Sequence, residues 1–489
     1  MEIKKRIKKV VLVYPNQKWM KVDLTTTWNL PPNTLCLLGT MIEDLYEVKI
    51  IDANFYDLTE EQFEAEIREF KPDVVGISLL TSEYQDILEI CVKLVKEIDH
   101  EIVTVAGGVH VTTQHESVLE DQNIDYAVRG EGEYVFRNLL EHLNGRAEFP
   151  KKGMVFRNCD GKIEAFEPEL IADLDQLPIP NYKLVDYPAY ANKLSRYGVD
   201  SVHVKPFARI LTSRGCPVGC SFCQVESISG KSLRMRSAEN VIAELQMLKN
   251  EYGIEGFVIE DDNPFGNKKR TKKMLRLLKE ANLNLTWKAA GVTIFNMDEE
   301  IFELMAETGC QAIGIAIESG VERVLKKIIR KPVNLKKVPD LVKLAQKYGL
   351  FVTANFIVGF PGETWEEIRE TLHYAETCGV DYIKVYQAQP LLGTRLYDEA
   401  IETKSITGTH DKVGWRYSRL HTSEFSPKDL SVLRVYEWDR INFSTLEKRE
   451  KAAKIMNIDL EELARLRKAT RNSLTFEDMD MEMMRTREV

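Results

Sequence analysis

Three features of the chain predict an α/β protein in three parts. Five short apolar runs alternate with amphipathic stretches up to residue 145, six further βα units follow from residue 207, and the pattern turns helical after about Leu396. Strands that read as nearly continuous apolar runs belong to parallel sheets covered on both faces. The first part is therefore expected to be a doubly wound, Rossmann-like domain over 1–145. A linker with a small β-hairpin follows over 146–206, then a partial (β/α)6 barrel over 207–395 and a mainly helical C-terminal region over 396–489.

Taken in order, the first-domain strands are expected at Lys9–Val13, Val48–Asp52, Val74–Ser78, Ile102–Ala106 and Tyr126–Arg129. Helical patterns lie near 34–45, 60–70, 83–98 and 114–121, with another after Glu133. Gly153–Arg157 and Ile163–Phe166 flank Asn158-Cys159-Asp160-Gly161, a hairpin turn by composition. Leu177-Pro178-Ile179-Pro180 excludes regular helix and interior strand. The barrel strands are expected at Arg209–Thr212, Gly256–Glu260, Thr286–Ala290, Ala312–Ile317, Val352–Val358 and Tyr382–Tyr386. Helices over Ser426–Trp438, Leu446–Met456 and Asp459–Ala469 follow, then an acidic, methionine-rich tail from Phe476.

The composition, 44% hydrophobic and 29% charged, is that of a globular protein. No apolar run reaches the roughly 18–20 residues needed to span a bilayer. A net charge of −10 argues against a large nucleic-acid footprint. Of eight cysteines three are bunched and five scattered, which is no disulfide framework. A cytoplasmic enzyme in a reducing compartment is the expectation.

The bunched cysteines carry the chemistry. Cys216, Cys220 and Cys223 lie in Gly215-Cys216-Pro217-Val218-Gly219-Cys220-Ser221-Phe222-Cys223, close enough in sequence to converge on one small object. Grouped thiolates select zinc or iron–sulfur clusters. A structural zinc site takes four protein ligands, yet the nearest histidine, His203, lies upstream across a proline. Three ligands on a four-iron cube leave one iron open for chemistry. A degraded zinc knuckle is the bland alternative.

With this spacing and the aromatic Phe222, the motif resembles that of the radical S-adenosylmethionine (SAM) superfamily. The resemblance implies a [4Fe-4S] cluster on Cys216, Cys220 and Cys223. Its open iron would chelate SAM, and reduction would cleave SAM to a 5′-deoxyadenosyl radical. The cysteine loop follows the first barrel strand, at the carboxyl face where barrel active sites lie. Other strand ends supply Asp261, then Glu318-Ser319-Gly320, then Gly359-Phe360-Pro361. By resemblance Glu318 bonds the SAM ribose, and the segment with Gly359 and Pro361 contacts its adenine. Phe222, between the cysteines, is placed to pack near the adenine, Ser319 follows Glu318 at the same strand end as a further cofactor contact, and Asp261 is expected at the ligand or substrate rather than in a solvated loop or cap. Arg323 or Arg330 is expected at the SAM carboxylate.

A second site is expected in the first domain. Ser78-Leu79-Leu80 and Gly107-Gly108 end neighbouring strands, and Gly107-Gly108 could simply form a tight turn. Their spacing resembles the serine–x–leucine … glycine–glycine pattern of cobalamin-binding domains. With Val109, His110, Gly130 and Glu131 they look like the first domain of cobalamin-dependent radical SAM enzymes. Ser78, Leu80, Gly107, Gly108, Val109, His110, Gly130 and Glu131 are then expected to bind cobalamin. Tyr14-Pro15-Asn16-Gln17-Lys18-Trp19 lacks the histidine with which many such domains ligate cobalt.

The resemblance implies an anaerobic methyltransferase that moves a methyl group from methylcobalamin to an unactivated carbon or phosphorus centre. Cobalamin-dependent oxidation or ring closure is the alternative within the family. A cluster-bearing docking protein whose first domain no longer binds cobalamin is the alternative outside it. Expected partners are a small-molecule or peptide substrate and an electron donor such as flavodoxin or ferredoxin, with no nucleic acid and no membrane span.

Overall fold

The computed structural model describes residues 6–19, 31–79, 85–193, 204–406 and 418–472. Leu80 and the tail from Phe476 lie outside the described residues. The chain divides into two compact units, Met1–Lys193 with Ser227–Ser229, and Leu194–Glu226 with Gly230–Val489.

The first unit is built on β1 (Lys9–Tyr14), β2 (Glu47–Asp52), β3 (Val74–Leu79), β4 (Val103–Gly108) and β5 (Tyr126–Val128). These pair in parallel in the order β2-β1-β3-β4-β5. The chain runs outward from β1 to β2, then returns to the other side of β1 as β3. The carboxyl ends of β1 and β3 thus flank a switch point, where doubly wound sheets bind ligands. Interleaved helices are α1 (Asn33–Thr40), α2 (Glu60–Phe70), α3 (Gln85–Ile98), α4 (Val109–Val118) and α5 (Glu133–Leu143). Separate apolar clusters, one around Val11, Val75 and Val92 and the other around Val10, Leu12 and Leu139, cover the two faces.

The hairpin expected in the linker forms β6 (Met154–Arg157) and β7 (Ile163–Ala165), but β6 pairs antiparallel with β5. It therefore extends the first sheet to seven strands, and the first unit continues to Lys193. The fourth helix was expected from residue 114 but begins at Val109, directly after Gly108. Val109, Val111 and Thr112 are β-branched and hide the helical start from a periodicity reading.

The second unit holds β8 (Phe207–Ile210), β11 (Gly256–Ile259), β12 (Thr286–Val292), β13 (Cys310–Glu318), β14 (Phe351–Val358) and β15 (Tyr382–Gln387). All six pair in parallel in sequential order, which makes an open (β/α)6 sheet. A short antiparallel clasp, β9 (Ser213–Arg214) with β10 (Arg234–Met235), brackets the cysteine loop. The first unit ends with α6 (Tyr187–Asn192), and the short α7 (Val225–Ser229) follows the cysteines. Helices α8 (Ala238–Tyr252), α9 (Lys268–Ala281), α10 (Glu299–Glu307), α11 (Val338–Lys347) and α12 (Trp365–Thr377) lie between these strands, followed by α13 (Arg395–Glu402), α14 (Pro427–Phe443) and α15 (Leu446–Met456). Helix α12 starts on a Thr364/Glu367 capping box, and α14 on Ser426/Asp429 with Pro427 in its first turn.

The alternation along β13 is plain. Ile313, Ile315 and Ile317 are fully buried, while Ala312, Gly314 and Ala316 occupy the opposite face. Small residues on that face leave room inside the barrel that larger side chains would fill.

Candidate functional site

The cysteine loop is anchored by two carboxylates just past the end of β11, the buried Asp261 and the more exposed Asp262. Asp261 accepts from the Thr212 N–H at 2.6 Å, the Thr212 hydroxyl at 2.6 Å and the Ser213 hydroxyl at 2.7 Å. Asp262 accepts from the Gly215 N–H at 3.0 Å. Burial pushes the Asp261 carboxyl up to about 6 and raises Asp262 as well. Asp261 was expected at the ligand or substrate, but its oxygens bond Thr212 and Ser213 and hold the entry to the loop.

Cys216, Cys220 and Cys223 are free thiols of intermediate exposure. The Ser221 N–H donates to the Ile329 carbonyl at 2.9 Å, and the Leu396 N–H to the Ser221 carbonyl at 2.9 Å, so the loop is held between two later segments. Burial pushes the Cys220 thiol up to about 12, against the pull of nearby Lys331. Among the described residues no three His, Cys, Asp or Glu side chains close round one metal ion. Three thiols in one loop are the ligand set of a polynuclear cluster that keeps one iron open, whereas a structural zinc takes four.

The fourth strand end supplies an ion pair. Lys331 Nζ lies 2.8 Å from Glu318 Oε1, with both side chains buried. Glu318 sits at φ 76°, beyond a register shift in β13. A non-glycine residue in that region is strained and tends to persist where function requires it. Lys331 also interacts electrostatically with Cys220 and Cys216. It was not anticipated, because a lysine ahead of Pro332 carries no motif. The two arginines expected near SAM are engaged elsewhere. Arg323 pairs with Glu367 and donates to the Gly362 carbonyl, and Arg330 pairs with Glu399.

Ser319 is fully buried, with its hydroxyl against that of Thr371 at 2.9 Å and accepting from the Val321 N–H. It ties the loop after β13 to α12, whereas SAM contact was expected. At the fifth strand end Glu363 accepts from the N–H groups of Gly359 at 2.7 Å and Phe360 at 3.1 Å, closing the Gly359–Pro361 turn. Gly359 is required there, since its φ is 89° and a Cβ would meet Leu430 at 2.3 Å. The Phe360 ring lies 6.0 Å from that of Phe222, which places an aromatic pair beside the cluster loop.

The opposite wall of the barrel is polar. Asn355 and Lys384 are register partners on β14 and β15, and Ile357 pairs with Tyr386 above them. Ile383 and Val385 are buried, so Lys384 and Tyr386 take the other face, and Tyr386 is an electrostatic neighbour of Glu318. Burial pushes the Lys384 amine down to about 8. Asn355 Oδ1 is buried with no hydrogen-bond partner.

In the first unit Ser78, Gly107 and Val109 lie half-buried at the ends of β3 and β4. Gly107 has open space where a Cβ would stand, with only the Val128 carbonyl near, at 3.8 Å. Gly108 differs. Its Cβ would come within 2.2 Å of the Leu79 carbonyl, so this glycine serves the joining of β3 to β4. Gly130 donates its N–H to the Thr112 hydroxyl at 2.9 Å, and Glu131 accepts from the Ile171 N–H at 2.6 Å. Both therefore tie the loop after β5 to neighbouring segments. His110 is buried in the first turn of α4, and burial holds its imidazole down at about 4, neutral at ordinary pH. Past β1, Gln17 is buried with neither side-chain amide atom hydrogen-bonded. An open Gly107 and an orphaned amide at the switch-point end of the sheet fit an amide-rich ligand such as cobalamin.

A doubly wound unit with a groove of this kind, joined to an open barrel whose first loop carries three cluster-spaced cysteines, defines a cobalamin-dependent radical SAM enzyme. The radical SAM superfamily model matches residues 210–375, and the B12 binding domain model matches residues 24–140. An uncharacterized methyltransferase of Pyrococcus horikoshii is 37% identical over 401 residues, 81% of this chain and 84% of that protein. The cytidylyl-2-hydroxyethylphosphonate methyltransferase of Streptomyces wedmorensis is 33% identical over 448 residues, 81% of this chain and 82% of that protein. The cobalamin-dependent SAM radical enzyme OxsB shares the fold at a TM-score of 0.72 and 15% identity, over 98% of this chain and 75% of its own. The chain belongs to the cobalamin-dependent radical SAM methyltransferases, with a [4Fe-4S] cluster, SAM and cobalamin as cofactors. No helix among the described residues is long and apolar enough to cross a membrane.

Proposed function

We propose that this enzyme methylates a polar small molecule held against the inner wall of β14 and β15. The observation that carries the reading is the barrel interior. Ala312, Gly314 and Ala316 keep one strand of the inner face small, while Asn355, Lys384 and Tyr386 line the two strands beside it. When bound, the cluster with SAM supplies a radical that removes a substrate hydrogen, and cobalamin supplies the methyl group.

The chain's own residues position these partners. Cys216, Cys220 and Cys223 hold the cluster, and Asp261 and Asp262 fix the entry of their loop. Lys331 meets the methionyl carboxylate of SAM by charge-assisted hydrogen bonding, and Glu318 orients that lysine and accepts from the ribose. Phe222, Gly359 and Pro361 bound the adenine. Ser78, Gly107 and Val109 line the cobalamin groove of the 1–145 sheet, and Gly108, His110, Gly130 and Glu131 shape it from beneath. Lys384 faces an anionic substituent of the substrate. The relative that is named for a phosphonate substrate is in keeping with such a group. The electron donor is a flavodoxin or ferredoxin in a reducing cytoplasm.

The test is incubation of the reconstituted enzyme with trideuteromethyl-labelled SAM and candidate phosphonates, phosphates and carboxylates. A product carrying the labelled methyl group supports the reading. A substrate oxidised or cyclised without label overturns it in favour of the alternative chemistry.

A further inference from the structure

Outside the three cysteines, one side chain is built toward a cluster sulfur. Asn263, just past the end of β11, is 3% exposed, and its Nδ2 lies 3.8 Å from Cys216 Sγ. Its other end is fixed, because Oδ1 accepts from the Thr293 hydroxyl at 3.1 Å. That contact orients the amide with its N–H group toward sulfur. The wall behind it is tight, since a Cβ on Gly266 would stand 3.0 Å from Nδ2. Among the described residues neither Cys220 nor Cys223 is met by a side-chain donor, so the three ligands are not equivalent.

We propose that Asn263 is a positioning residue that donates an N–H···S hydrogen bond to the Cys216 thiolate and so sets the reduction potential of the cluster. Hydrogen bonds to cluster sulfurs draw electron density from iron and stabilise the reduced form, which raises the potential. Thr293 acts one step further out, by keeping the amide from turning over. The proposal rests on the assignment of the cluster to Cys216, Cys220 and Cys223.

The experiment is a redox titration of the reconstituted full-length enzyme without SAM, followed by electron paramagnetic resonance of the reduced cluster. Asn263→Leu is expected to shift the midpoint to more negative potential with iron content unchanged. Thr293→Val is expected to shift it the same way by less. An unchanged midpoint in an iron-replete Asn263→Leu enzyme overturns the proposal. Where Asn263→Leu fails to retain iron, Thr293→Val decides alone, and an unchanged midpoint there overturns it too. A wild-type protein that takes up no cluster would instead sink the cysteine assignment.

Discussion

Lys331 Nζ and Glu318 Oε1 stand 2.8 Å apart, buried beside the cluster cysteines, with Glu318 held at φ 76°. Such a pair is costly to break from one side, since the remaining charge is left buried without its partner. Lys331→Met should therefore destabilise the protein by about 3–5 kcal/mol in urea unfolding. Glu318→Gln added to it should recover much of that loss. Neither variant should restore SAM binding, read as the change that SAM makes in the spectrum of the reduced cluster. Normal SAM binding by the double variant would remove the pair from the SAM site.

The cysteines should separate into three behaviours. Cys216→Ala, Cys220→Ala and Cys223→Ala should each lose cluster iron or the ability to bind SAM. Cys159 is exposed, and its replacement by Ser should be neutral. Cys91 is fully buried in the apolar core of the first unit, so Cys91→Ser should cost about 1–3 kcal/mol for an unsatisfied hydroxyl without touching the iron. Iron analysis and thermal unfolding distinguish the three cases. Full iron together with normal SAM binding in Cys220→Ala would overturn the assignment.

Gly107 and Gly108 should part company. Gly108→Ala places a Cβ against the Leu79 carbonyl at φ 98° and should destabilise the sheet by at least about 1 kcal/mol. Gly107→Ala has room to fold and should lower cobalamin affinity about tenfold, about 1.4 kcal/mol, by filling the groove. Cobalamin titration with a circular dichroism control checks both. Unaltered affinity in a folded Gly107→Ala protein would move the groove elsewhere.

Much of this was legible because the informative residues announce themselves locally. Cysteine spacing is a sequence property, and so is the βα alternation that placed the six barrel strands. What stayed hidden depends on tertiary partners. Asp261 was in view as a strand-end carboxylate, but its engagement with Thr212 and Ser213 needs β8 beside β11. Lys331 reaches Glu318 through a wide helical turn over Val324–Ile329 that no local pattern predicts. The reason for Gly108 lies in Leu79, a neighbour across the sheet. The hairpin's turn was plain in Asn158-Cys159-Asp160-Gly161, whereas its edge pairing to β5 was not, since a hairpin carries no signal for the sheet it joins.

Glu363 offers a pH test of the turn that closes on Gly359. Its carboxyl is pushed up from 4.5 to about 7 by burial, against the lowering effect of the Phe360 and Gly359 N–H groups, and Oε1 has no partner. Because the folded value lies above the unfolded one, the folded state holds the proton more tightly between them. Its contribution to stability is then full below about pH 4.5 and is lost as the pH rises through about 7. Glu363→Gln keeps an oxygen to accept from Gly359 but cannot ionise. It should flatten the stability profile across that window and leave the variant more stable than wild type above it, by on the order of 1–3 kcal/mol. Asp52 and Asp261, each raised to about 6, also titrate in this range, so the informative quantity is the difference between the two profiles. Urea midpoints of the cofactor-free protein across the window measure it. Parallel profiles for wild type and Glu363→Gln would mean that Glu363 titrates normally and that the turn is held by other contacts.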